Sequence, residues 1–80
     1  MTINPAQSRA GRGLLDWSQQ NLADAASVGL STIRSFESGK RTPIANNLTA
    51  IRAALESAGV QFVSQGDSAD GDGVVLRAQE

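Results

Sequence analysis

Apolar residues recur every three or four positions from Pro5 to Gly59 and alternate thereafter, so the pattern predicts a run of helices followed by strands. Asn4-Pro5-Ala6-Gln7 holds the parts of a helix start: an Asn N-cap, a Pro at the first helical position and a Gln that reaches back. Ala6, Ala10 and Leu14 then share one face, which predicts a first helix over about Pro5 to Leu15, thickened by Leu15 and Trp17 and weakened by Gly11 and Gly13. Ser18 is the N-cap of a second helix, with Leu22, Ala23 and Ala26 at helical spacing and Val28 as the apolar plug of the turn that follows. A third should begin near Leu30, point Ile33 and Phe36 inward and end at Gly39, the residue best suited to a left-handed cap; Lys40 and Arg41 follow, and Pro43 blocks further helix. A fourth, from about Ala45 to Ala58, carries Leu48, Ile51, Leu55 and Ala58 on one stripe, with Gly59 as its cap.

After Gly59 the period changes. Val60 and Phe62 should share one side of a short strand, with Gln61 and Val63 on the other, and a second apolar run follows at Val74-Val75-Leu76. Ser64 to Gly73, rich in Gly, Asp and Ser, suits a long turn, so the tail reads as a β-hairpin. The acidic run Asp67-Ser68-Ala69-Asp70-Gly71-Asp72-Gly73 lacks the ligand spacing and closing Glu of a calcium loop and reads as a solvated turn. The chain thus divides into a helical unit, residues 1–59, and a C-terminal hairpin or tail, residues 60–80. A lone two-stranded hairpin is marginal in water, so it must pack on the fourth helix or pair with a strand of a second copy in a shared sheet.

The second and third helices, separated by a fixed turn, read as a helix-turn-helix. Ser18-Gln19, Leu22-Ala23, Val28, Ser31-Thr32-Ile33, Phe36-Glu37, Gly39-Lys40-Arg41 and Pro43, continuing through Leu48, Ile51 and Leu55, resemble the Xre family of bacterial and phage regulators. The resemblance covers roughly Pro5 to Gly59 and implies an all-α, lambda-repressor-like bundle of about four helices. Its third helix would enter the major groove of double-stranded DNA, usually as half of a dimer on a palindromic operator. Relatives usually carry Gly in the turn where this chain has Ser27, an acid where it has Asn21, and basic or amide side chains where it has Ser35 and Ser38.

The resemblance also implies a set of site residues. Gln19 would meet a phosphate at a helix N-terminus, the alternative being an ordinary first-turn residue. Leu30, Ser31, Thr32, Arg34 and Ser35 fall where relatives reach base edges, with Leu30 suited to a thymine methyl and Arg34 the one long donor. Otherwise Ser31 and Thr32 simply begin a helix and Arg34 is a solvated charge. Lys40 and Arg41 would hold phosphates and set the docking register, or else form a solubilising loop. Arg12 and Glu37 look like the family's structural ion pair. Trp17, an isolated aromatic, belongs to the core rather than to a stacking platform.

Eighty residues allow one small domain. The sequence has no cysteine and no histidine, which removes disulfides, a thiol nucleophile and the usual imidazole base or metal ligand. An enzyme is therefore not expected, nor a cofactor or metal; Ser18 and Ser31 lack the histidine of a catalytic triad. No apolar run approaches a membrane span and no signal peptide is evident, so a soluble, cytoplasmic protein is expected. The net charge of -1 hides an asymmetry. Before Gly59, Arg9, Arg12, Arg34, Lys40, Arg41 and Arg52 outnumber Asp16, Asp24, Glu37 and Glu56, and the tail carries the negative excess. So few cations per half-site predict weak, salt-dependent DNA binding that needs a dimer. The rival expectation is a protein-binding module on the same fold, an antiactivator that captures another transcription regulator, suggested by near-neutral charge, the serines of the third helix and an apolar Leu30 at its start.

Overall fold

Four helices and an antiparallel hairpin follow one another: α1 (Pro5–Leu15), α2 (Gln19–Ala26), α3 (Leu30–Glu37), α4 (Ala45–Ser57), β1 (Val60–Val63) and β2 (Gly73–Leu76). They are seen in a computed structural model that describes residues 3–63 and 71–77. Most of the turn expected over Ser64 to Gly73, including Asp67 and Asp70, lies outside the described residues.

Local chemistry starts two of the helices. The Asn4 side chain accepts from Gln7 N at 2.8 Å and Gln7 Oε1 accepts from Asn4 N at 3.0 Å. Ser18 and Asn21 form the same reciprocal box, at 3.0 and 2.9 Å, so the amide that stands in for an acid still caps α2. Left-handed residues close the turns: Asp16 (φ 56°) after α1, Ser27 (φ 57°) after α2, and Gly39 (φ 79°) just past α3.

The core gathers Ile3, Leu22, Ala23, Ala26, Ile33, Phe36, Ile51, Leu55 and Val60, edged by Leu15, Trp17, Val28, Leu30 and Leu48. Fully burying a Leu or Ile side chain contributes about 1.5–3 kcal/mol, so this cluster fixes how α2, α3 and α4 meet. The face of α1 differs from its sequence pattern. Its buried residues are Gln7, Ser8 and Gly11, whereas Ala6 and Ala10 are exposed and Leu14 is 42% exposed. The reason lies in what α1 packs against: a carboxylate on one side and strand carbonyls on the other, which polar side chains satisfy and alanines do not. Gly11 is buried, and a Cβ there would lie 3.5 Å from both Leu55 and Val60, in ordinary van der Waals contact.

The hairpin pairs Val60 with Leu76 and Val63 with Gly73. It packs on α1 as well as on α4. Gln7 Nε2 donates to both Val63 O (3.2 Å) and Gly73 O (3.1 Å), joining α1 to both strands. Arg77 N donates to Gly59 O at 2.8 Å and the Arg52 guanidinium lies 5.5 Å from the Phe62 ring centre. The expected alternation is not clean, because Val63 is buried along with Val60 where β1 ends against α1. Among the described residues no helix is long and apolar enough to cross a membrane.

Candidate nucleic-acid interface

The surface of α3 follows from the residues it must bury. Ile33 and Phe36 point into the core and fix the helix's rotation, leaving Ser31, Arg34 and Ser38 exposed and Thr32 and Ser35 half-exposed. Lys40 and Arg41, carried past the helix by the turn at Gly39, are also exposed. Between Ala25 and Leu55 the single carboxylate in the sequence is Glu37, and it is 3% exposed. Arg34, Lys40 and Arg41 take part in no ion pair among the described residues. The outer side of α3 and the loop after it is therefore a cationic surface without exposed acid.

Ser31, Thr32, Ser35 and Arg41 line one open groove. Pro43 lines it too, with Thr42, Ile44 and Asn47, three residues that the sequence pattern had not marked. Ile44 stands four residues before Leu48 and so falls on the apolar stripe by period, yet it is the N-cap of α4, with ψ 155°, and is 69% exposed. Arg34 and Lys40 do not line this groove. Leu30, expected at an exposed helix start, instead packs partly against the core.

Behind the surface sits a polar cluster centred on Glu37. Arg12 Nη2 lies 2.7 Å from Glu37 Oε1, and Arg12 Nε donates to both carboxylate oxygens, at 3.1 and 2.9 Å. Ser8 Oγ donates to Oε2 at 2.6 Å and Gln19 Nε2 to Oε1 at 3.1 Å. Arg9 Nη1 donates to the main-chain carbonyl of Glu37. Burial would raise the Glu37 pKa, but hydrogen bonds from Arg12, Ser8 and Gln19, with the charge of Arg12, outweigh it and hold the carboxyl below its ordinary value. The cluster clamps the end of α3 to α1 and to the start of α2. Gln19, expected at a phosphate, donates one side-chain N–H to Glu37; its backbone N–H belongs to the first turn of α2, whose N–H groups have no partner within the helix.

Residues 9–59 match the family model described as helix-turn-helix. The chain belongs to the lambda-repressor-like, or Xre, helix-turn-helix family. That fold is one of DNA-binding regulators rather than of enzymes. None of the curated proteins matches the chain. In this helix-turn-helix protein the matched span contains the groove, Arg12, Gln19 and Glu37, while Gln7, Ser8 and the hairpin lie outside it.

Proposed function

We propose that this protein is a sequence-specific transcriptional regulator that inserts α3 into the major groove as one half of a homodimer. The observation that carries the reading is the charge arrangement: three exposed cations around α3 and, between Ala25 and Leu55, one carboxylate that is buried and neutralised by Arg12. Phosphate neutralisation dominates DNA affinity, so this distribution outweighs a net charge of -1. Lys40, Arg41 and the α2 N-terminus at Gln19 hold the backbone; Ser31, Thr32, Arg34 and Ser35 face base edges, with Leu30 contributing its exposed part. The protomers pair through the hairpin, whose Val75 and Leu76 are 49% and 40% exposed and whose strands pack on α1 and α4, leaving α3 clear. Half-sites then lie about one helical turn apart.

The test is titration of the full chain against a fluorescent duplex from upstream of its own gene, with random competitor, at low and moderate salt. Specific, salt-sensitive binding is the expected result. The exposed Ile44 and the short hydroxyls of α3 favour a second reading, an antiactivator that holds another transcription regulator on this face. Absence of duplex binding even at low salt would select it.

A further inference from the structure

Base pairs differ in the major groove by hydrogen-bonding pattern and by the thymine C5 methyl, and the strongest hydrogen-bond readers are Arg on guanine and Asn or Gln on adenine. The face of α3 offers few of these. Its exposed or half-exposed polar side chains are Ser31, Thr32, Arg34 and Ser35, with Ser38 at the cap, and the Ser38 hydroxyl already donates to Ser35 O at 3.1 Å. The two glutamines of α2 already hold carboxylates, Gln19 on Glu37 and Gln20 on Asp24. Arg34 is the one long donor of the helix, and it stands outside the groove. What the groove does present is carbon. Ile44, 69% exposed, lines it together with Ser31 and Thr32, and Thr32 adds a methyl of its own.

We propose, resting on the DNA-reading function above, that this protein recognises its half-site mainly through thymine methyl groups seated between Thr32 and Ile44, with Ile44 as a specificity-determining residue. The short side chains at Ser31 and Ser35 let the helix backbone come close to the groove floor, where a methyl fills the space that a longer side chain would take. Asn47, in the same groove, supplies one amide for an adjacent adenine or phosphate. The preferred half-site is rich in A·T pairs.

The test is parallel selection from a random duplex pool made with either thymidine or deoxyuridine, which differ by that methyl and keep the same base pairing. The thymidine pool should enrich an A·T-rich motif. The same motif rebuilt with deoxyuridine should bind roughly four-fold more weakly for each contacted methyl removed, while random duplex is unaffected. Ile44→Ala, which at so exposed a position should leave the thermal melt unchanged, should shrink that thymidine-to-deoxyuridine ratio. Equal affinity of wild-type protein for the two versions overturns the methyl-reading mechanism while leaving a DNA reader. Failure to bind either pool at low salt removes the DNA reading itself, and this inference with it.

Discussion

Gln19 Nε2 lies 3.1 Å from Glu37 Oε1, so the first residue of α2 is tethered to the last residue of α3. The angle between the motif helices is therefore set at both ends, by the turn at Ser27 and by a shared carboxylate. Replacing Gln19 by Ala should lower stability by about 1 kcal/mol through the lost bond. Glu37→Ala leaves Arg12 without its partner and should cost about 3 kcal/mol, the low end for a buried pair because the Arg12 side chain is 18% exposed. Urea denaturation followed by circular dichroism measures both. If Gln19→Ala leaves the midpoint unmoved, the tether does not hold the helices.

The same carboxylate makes stability depend on pH. Its folded pKa lies below the unfolded value near 4.5, so between the two the unfolded chain binds more protons. The contribution of Glu37 is fully present above pH 4.5 and is lost as pH falls through the folded value. Urea midpoints measured from neutral into acid should fall in that window for the wild type and fall less for Glu37→Gln. Parallel curves for the two proteins would place the acid sensitivity on other carboxylates.

Backbone conformation predicts opposite signs at two turns. Ser27 holds φ 57°, which a side chain disfavours, so Ser27→Gly should stabilise by about 0.5–1 kcal/mol after allowing for the freer unfolded chain. Gly39 holds φ 79° with nothing near its missing Cβ, so Gly39→Ala should destabilise by about 1 kcal/mol although it has room. Gly13 also has open space but is helical, and Gly13→Ala should stabilise by about 0.5–1 kcal/mol. Thermal melts of the three variants test the set, and the same sign at Gly39 and Gly13 would contradict it.

Gln7 is the anchor of the hairpin. It is 6% exposed, accepts from Asn4 N and donates to one carbonyl on each strand, so Gln7→Ala should cost about 2–3 kcal/mol. Hydrogen exchange should quicken first in β1 and β2. Removing residues 60–80 is a poor probe of dimerisation, because Val60 belongs to the core at 1% exposed. Val75→Lys with Leu76→Lys is cleaner: native mass spectrometry should show monomer, and an unchanged dimer would move the interface elsewhere.

Base reading and backbone holding separate by substitution. Arg34→Ala should relax base preference, whereas Lys40→Ala should weaken all sequences alike and reduce the salt slope by about one. Equal loss on operator and random duplex for Arg34→Ala would exclude a base-reading role for that residue.

Periodicity and caps were legible in the chain because they are local. Asn4, Ser18 and Gly39 act within a turn of their own position, and Ile33, Phe36, Ile51 and Leu55 repeat with the helix, so the extents of all four helices and the existence of the hairpin followed from residue order. The inward face of α1 did not, since Gln7 and Ser8 are buried by partners 56 and 29 residues away. No local pattern records that a polar face will meet a carboxylate and two strand carbonyls. Ile44 shows the converse, an apolar residue in period with its helix that the N-cap turns out of it. Residue order was therefore enough for the elements and their succession along the chain. Which polar groups close the core, that Gln19 is held on Glu37, and that Ile44 and Asn47 share a groove with α3 came from the folded chain alone, because burial and hydrogen-bond satisfaction depend on groups brought together from distant positions.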